Sequence, residues 1–258
     1  MKFLLIGNGF IAPEHKESIE SINGKIVGIV EEKDNWKQAI ESTGADCVVI
    51  LTPNDLHFEM VKIAAEQSKI VLCEKPLVIE SEQAKILTKY RDVFTVLQLR
   101  HHPLVKEIKS EIKNDENYEI EIDISVHRDD EYYKGWKGQK EKSGGILFNL
   151  GIHYFDLLLY LFGEPKEVLT FSLNDKTARG LVKGENYICN WRLSTDEIKK
   201  NQRRIFKINK ENYNFSSKDN LSYENLHKFI YQDLLKSKGV LPEEALKSIK
   251  LVEQLHSF

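Results

Sequence analysis

The sequence has few cysteines, no long apolar run and no excess of either charge, and each shortage excludes something. Its three cysteines, Cys47, Cys73 and Cys189, are odd in number and widely spaced, which argues against a disulfide framework. Two of them sit in apolar, strand-like runs and read as reduced core thiols. The stretch MKFLLIGNGF has only four consecutive apolar residues before its first glycine, too few for a signal-peptide core. No segment approaches the roughly 18 apolar residues of a membrane span. A cytoplasmic location without a membrane partner is therefore expected. The 37 basic and 40 acidic side chains are interspersed and sum to −3, so no net field exists to hold a nucleic acid. Internal repeats and low-complexity tracts are also absent.

What the chain does have is an ordinary globular composition, 41% hydrophobic and 30% charged over 258 residues, enough for two domains. KFLLI, KIVGIVE, DCVVILT, KIVLCE and VFTVLQL are short apolar runs that read as buried strands. Between them, Pro13 to Glu20, DNWKQAIESTG, LHFEMVKIAAEQS and SEQAKILTKY read as helices, the second with Asp34 as N-cap and Gly44 as terminator. Strands alternating with single helices predict a parallel sheet with right-handed crossovers. Beyond residue 100 the rhythm changes. Helices are expected at 103–113 and 147–162, and alternating runs (YEIEIDISVHR, EVLTFSLN, ARGLVKGENYICNWRLS, RIFKINKENYNF) predict a mostly antiparallel sheet covered on one face. Two helices, 221–236 and 242–255, follow. The expected architecture is α/β: a Rossmann-like domain over 1–99 and an α+β domain for substrate binding and oligomerisation over 100–258.

Gly7-Asn8-Gly9-Phe10-Ile11-Ala12 separates the first strand from the first helix. Small residues there let backbone amides approach a pyrophosphate at a helix N-terminus, the signature of dinucleotide binding. Glu31 ends the second strand, where an acidic side chain would bind the adenosine ribose. With Glu32 beside it, a 2′-phosphate would be repelled, so NAD is expected over NADP. Thr52-Pro53-Asn54 follows the next strand, at the carboxyl edge where open parallel sheets bind ligands; Asn54 and Asp55 could equally cap the next helix. His101 and His102 lack partners at metal-ligand spacing, no Gly-x-Ser-x-Gly elbow occurs, and no metal is expected.

Together GNGFIA, LTPNDLH, CEKPL and GGILFNLGIHYFDLL make the chain resemble the Gfo/Idh/MocA oxidoreductases, which join a Rossmann domain to a mostly antiparallel α/β domain. The resemblance spans most of the chain. It implies that Glu74 and Lys75 of Glu74-Lys75-Pro76 border the cofactor, with Lys75 near the nicotinamide and the substrate hydroxyl, that His153 of the Gly151-x-His153-x-x-Asp156 motif is an acid/base candidate, and that the residues of LTPNDLH, including His57, also border the cofactor. Oxidising a secondary alcohol needs a base within reach of the hydroxyl. His153 could be that base with Lys75 as a cation beside the oxygen, or the roles could be reversed. Asn149, four residues before His153, shares its helical face in α geometry.

GFIAPEH, TVLQLRHHP, YYKGWKG, KSGGI and YENLHKFIYQDLL further resemble the UDP-N-acetylglucosaminuronate 3-dehydrogenase subgroup. That implies an NAD-dependent homo-oligomer, dimer or tetramer, acting on a nucleotide sugar. Arg100, Arg128, Tyr133, Trp136, Lys137 and Lys142 would join Lys75, Asn149 and His153 around a diphosphate- and carboxylate-bearing substrate. A dehydrogenase for a free sugar or inositol and a non-catalytic regulator are the alternatives. One departure is expected: only 14 residues separate Glu31 from the DCVVILT strand, room for one helix. A strand and a helix normal for the family are missing, which makes the second strand a sheet edge and removes a wall from the adenosine pocket.

Overall fold

The computed structural model describes residues 1–215 and 226–256. Within the first 98 residues, β1 (Lys2–Ile6), β2 (Lys25–Val30), β3 (Cys47–Ile50), β4 (Ile70–Cys73) and β5 (Val93–Thr95) alternate with α1 (Ala12–Ser21), α2 (Trp36–Ser42), α3 (His57–Glu66) and α4 (Ser81–Leu87). The strands form one parallel sheet in the order β2-β1-β3-β4-β5. Here β2 is an edge strand, and the single helix α2 carries the chain across β1 to β3, as the short spacing after Glu31 predicts. The caps differ in detail. Asn35, not Asp34, receives the Gln38 amide at the start of α2 (3.2 Å), while the Asp34 carboxylate accepts from the Glu31 amide (2.8 Å). Gly44 follows the helix with φ +63°, as a terminator should.

The chain continues through α5 (Pro103–Glu111), β6 (Tyr118–Ser125), α6 (Asp130–Lys134), α7 (Lys140–Ser143), α8 (Ile152–Phe162), β7 (Glu167–Leu173), β8 (Thr177–Lys183), β9 (Tyr187–Ser194), β10 (Arg203–Ile208) and β11 (Glu211–Tyr213). These strands form a sheet in the order β11-β10-β6-β9-β8-β7. All pairs are antiparallel except β6 with β9, which run parallel in unbroken register from Tyr118–Tyr187 to Ser125–Ser194. Alternate residues of β6 and β9 are buried; Phe155 of α8 meets Trp191 edge to face at 5.4 Å on that covered side. The expected helix at 147–162 is composite: a π turn (Leu147–Gly151) leads into α8. By length and composition the helical stretch Lys140–Phe162 could cross a membrane, but 78% of its most apolar window is buried inside the protein.

α9 (Leu226–Leu234) and α10 (Pro242–His256) end the described chain. The part of the expected 221–236 helix before Leu226 lies outside the described residues, as do Tyr223, Glu224 and Asn225 of the YENLHKFIYQDLL motif. Contacts divide the described residues into one unit of 1–98 with 226–246 and a second of 99–215 with 247–256. Residues 226–246, which the sequence-based division assigns to the second domain, thus belong to the first. There Ile230, Tyr231 and Leu234 of α9 join Phe3, Leu5, Val49 and Leu72 in one core. All three cysteines are free and buried, and burial pushes their thiols upward in pKa, so they remain protonated.

Candidate functional site

In the first unit, the turns that carry the predicted cofactor residues all leave the carboxyl ends of the parallel strands. Adjacent strands lock these exits in place: the Gly7 amide donates to Val30 O (2.8 Å), Leu51 to Ile6 O (2.8 Å) and Glu74 to Ile50 O (2.9 Å). Gly7 is obligatory for the turn. Its φ is +105°, and a Cβ there would lie 2.7 Å from the Leu51 carbonyl oxygen. Gly9 is different, because a Cβ there would meet nothing within 4 Å. Packing does not require this glycine; close approach by a ligand backbone or phosphate would.

Asn8 is exposed, donates to the Glu31 carboxylate (3.1 Å) and accepts from Lys16 Nζ (2.8 Å), so the first turn and the end of β2 share one polar cluster. Phe10 is 92% exposed and Ile11 half-buried beside the start of α1. This open turn, helix N-terminus and acidic strand end suit a dinucleotide's pyrophosphate and ribose. Thr52 and Pro53 are half-buried and Asn54 is buried. The N-cap positions of the 3₁₀ turn Asn54–Leu56 and of α3 are Pro53 and Leu56, and neither makes a side-chain cap hydrogen bond.

Two members of the predicted cofactor set have other engagements. His57 is completely buried, with Nδ1 2.8 Å from Pro76 O and Nε2 3.0 Å from Thr52 O. It ties the Thr-Pro-Asn turn to the Glu-Lys-Pro turn instead of facing a ligand, and burial lowers its pKa against the pull of the two carbonyls. Glu74 points at imidazoles. Its Oε1 lies 2.9 Å from His15 Nε2 and 3.5 Å from His227 Nε2, while its Oε2 accepts from the Lys75 amide (3.2 Å). Desolvation opposes ionisation of Glu74, but the two histidines outweigh it and hold the carboxyl well below the usual range. Lys75 itself is half-buried, and its bond to Pro76 is cis.

In the second unit, a pocket is lined by Tyr132, Tyr133, Lys137, Ser143, Asn149 and Thr195. Three predicted substrate residues, Tyr133, Lys137 and Asn149, therefore come together. Asn149 lies within the π turn, whose wider winding replaces the α spacing assumed for Asn149 and His153, and it donates to Lys137 O (3.3 Å). The Tyr133 hydroxyl donates to Thr195 Oγ1. Arg128 stacks over Tyr132 at 5.3 Å and Lys137 approaches the same ring at 5.2 Å. Trp136 is half-buried in the adjoining 3₁₀ turn, and Lys142 is exposed on α7. His153 is 7% exposed on the first turn of α8.

Arg100 occupies a different setting from the one expected of a substrate-binding cation. Its guanidinium grips Asp156 at both oxygens (Nε–Oδ2 2.8 Å, Nη2–Oδ1 2.7 Å), and the Ser248 hydroxyl donates to Oδ1 (2.7 Å). Side-chain exposures of 10% and 2% make this a buried structural pair. Asp156 of the Gly-x-His-x-x-Asp motif is thereby fixed one turn beyond His153.

Sequence spacing also missed the meeting of His15, Glu74 and His227, whose ligand-capable atoms lie within 4.8 Å of one another. Glu74 and His227 are polar residues in otherwise packed stretches, but His15 is flanked by exposed Glu14 and Glu17, so nothing local points to the three meeting.

Comparison with known proteins gives matches to both parts of the chain. A model described as the NAD-binding Rossmann fold of the GFO_IDH_MocA oxidoreductase family matches residues 29–92, and one for the C-terminal alpha/beta domain matches residues 109–189. Glucose-6-phosphate 3-dehydrogenase of Bacillus subtilis is 28% identical over 188 residues, covering 62% of this chain and 53% of the relative. Inositol 2-dehydrogenase of Rhizobium meliloti is 25% identical over 196 residues, covering 66% and 57% respectively. This chain thus spans about half the length of the curated relatives it matches. The WlbA (WbpB) dehydrogenase from Thermus thermophilus, solved in complex with NAD and UDP-GlcNAcA, superposes with a TM-score of 0.89 at 26% identity, covering 100% of this chain and 95% of that one.

Proposed function

The chain belongs to the Gfo/Idh/MocA oxidoreductase family, and we propose that it is an NAD-dependent dehydrogenase that oxidises the 3-hydroxyl of UDP-linked N-acetylglucosaminuronic acid. The observation carrying this reading is its likeness along the whole chain to a dehydrogenase solved with NAD and UDP-GlcNAcA, together with Lys75 and His153 at the motif positions. NAD, when bound, would supply the acceptor for the hydride of the sugar carbon. Gly7 to Ile11 and the N-terminus of α1 would hold its pyrophosphate, Glu31 its adenosine ribose, and Thr52 to Asn54 the adjoining strand end.

Loss of hydride leaves a carbonyl only if the hydroxyl proton also departs, so one of Lys75 and His153 takes that proton and the other steadies the charge developing on oxygen. Tyr133, Lys137 and Asn149 would orient the sugar nucleotide, with Arg128, Trp136 and Lys142 nearby in sequence. Arg100 acts indirectly, by fixing Asp156 on the helix of His153. The enzyme would work in the cytoplasm as a homo-oligomer.

The relatives acting on glucose 6-phosphate and inositol favour a second reading, oxidation of a sugar without a nucleotide. Calorimetric titration with NAD, UDP and UDP-N-acetylglucosaminuronate, followed by absorbance of the reduced nicotinamide, separates the two. Binding of UDP and reduction dependent on the UDP-sugar are expected; reduction with inositol or glucose 6-phosphate, and no binding of UDP, would replace the substrate assignment. His153→Asn should lower turnover by at least 100-fold, on the order of a lost general base, while NAD affinity stays within about twofold. Unchanged turnover would remove His153 from the chemistry.

A further inference from the structure

The proposed reaction leaves a buried cluster without a task. His15 is fully buried, His227 is 4% exposed, and the Glu74 side chain is 12% exposed. Both imidazoles direct Nε2 toward the same carboxylate oxygen, Glu74 Oε1, at 2.9 and 3.5 Å. Both turn Nδ1 toward another oxygen: His15 toward the Tyr231 hydroxyl at 2.8 Å, His227 toward Glu14 Oε2 at 3.6 Å. Hydrogen bonding alone leaves the arrangement incomplete, because neither nitrogen of His227 has a hydrogen-bond partner among the described residues. A buried imidazole with neither nitrogen satisfied is costly.

The geometry points to a divalent transition-metal site of the zinc class, with His15 Nε2, His227 Nε2 and Glu74 Oε1 as its protein ligands. Two imidazoles and a carboxylate are a donor set that such ions accept, with a fourth position for solvent. Bonds of about 2.0–2.1 Å at tetrahedral angles place neighbouring donor atoms roughly 3.3 Å apart, which brackets the observed 2.9 and 3.5 Å. The widest pair of donor atoms lies within 4.8 Å, so closure around an ion takes a side-chain movement on the order of 1 Å.

The outer contacts fit as well. Metal-bound histidines present the second ring N–H to a carboxylate or another oxygen, which selects the tautomer with a lone pair toward the metal. Tyr231 and Glu14 stand at those two places. In the metal-bound form His15 Nδ1–H donates to the Tyr231 oxygen and Nε2 is bare. Glu74 would use Oε1 for the ion and keep Oε2 for the Lys75 amide, so the ion would join α1, the end of β4 and α9 and hold the turn that carries Lys75. Its role is structural. The ligands lie at positions 15, 74 and 227, so no local spacing announces it.

The test is metal content and spectroscopy on the intact protein. After chelation, incubation with zinc sulfate and gel filtration, elemental analysis should find close to one zinc per chain. Cobalt(II) titration should give visible bands of a four- or five-coordinate site, and zinc should raise the melting temperature. His227→Gln should abolish stoichiometric retention. Tyr231→Phe, which preserves the core aromatic ring and removes only the outer contact, should weaken cobalt affinity by 10- to 100-fold. Less than 0.1 zinc per chain in folded wild type, or cobalt bands unchanged in folded His227→Gln and Tyr231→Phe, would overturn the assignment.

Discussion

Replacing Asp156 by asparagine keeps the shape of the side chain and removes its charge, leaving the Arg100 guanidinium buried opposite an amide. The pair is bidentate at 2.8 and 2.7 Å, reinforced by Ser248 at 2.7 Å, and exposed by only 10% and 2%. Breaking one partner of a buried pair costs about 3–5 kcal/mol because the survivor stays desolvated. At roughly 2–4 °C per kcal/mol for a chain of this size, the melting temperature should fall by about 6–20 °C. Ser248→Ala, losing one hydrogen bond to a charged acceptor, should cost about 1.5–3 kcal/mol. The double variant Arg100→Met, Asp156→Leu removes both charges and should recover most of the loss. Urea unfolding followed by tryptophan fluorescence in a Trp36→Phe, Trp136→Phe background reads the second unit, since the remaining indole, Trp191, is 2% exposed on β9. An Asp156→Asn midpoint equal to wild type, or a double variant no better than the single, would refute the account of Arg100 as a structural partner.

The two glycines of the first turn should behave oppositely. Gly7→Ala meets a positive φ and the Leu51 carbonyl at 2.7 Å, so it should lose about 1–3 kcal/mol of stability. Gly9→Ala has open space around its Cβ; it should melt like wild type yet bind NAD at least 10-fold more weakly by calorimetry, and undiminished affinity would disconnect this turn from the cofactor. His102 caps α5 by accepting the Leu104 amide on Nδ1 (3.2 Å), and burial lowers its pKa below 6.5. Its folded form resists protonation more than its unfolded form, so its share of stability is intact above pH 6.5 and is lost as the pH falls through the folded pKa. His102→Asn keeps a capping acceptor that does not titrate and should retain about 1 kcal/mol more than wild type at about pH 5; parallel acid-unfolding curves would rule out that role.

The parallel unit was legible because its signals are local. Each strand and helix announces itself within ten residues, and the short interval after Glu31 dictates that α2 crosses β1. The motif positions of Lys75 and His153 were equally readable. What escaped depends on distance or on backbone detail. The parallel pairing of β6 with β9 joins strands separated by five elements, α6, α7, α8, β7 and β8, and alternation alone cannot select a strand's neighbour. Asp156 looks like a site residue until Arg100, 56 positions earlier, is found to grip it. His57 sits in a cofactor motif but spends both nitrogens on backbone carbonyls. The π turn at Leu147–Gly151 has the same apolar sequence signature as an α-helix, so Asn149 could not be aimed correctly from a spacing of four.

The position of β2 at the end of the sheet carries a consequence for solubility. A parallel edge strand offers open amides and carbonyls to any other extended chain, which is the first step toward aggregation. Here Phe3 pairs with Ile26 but Leu4 pairs with Gly28, so Val27 is an extra residue that kinks the rim. Lys25 stands at one end of the strand and Glu31, Glu32 and Lys33 follow the other. Where a third strand would have shielded this border, a bulge and a fringe of charges discourage an incoming strand.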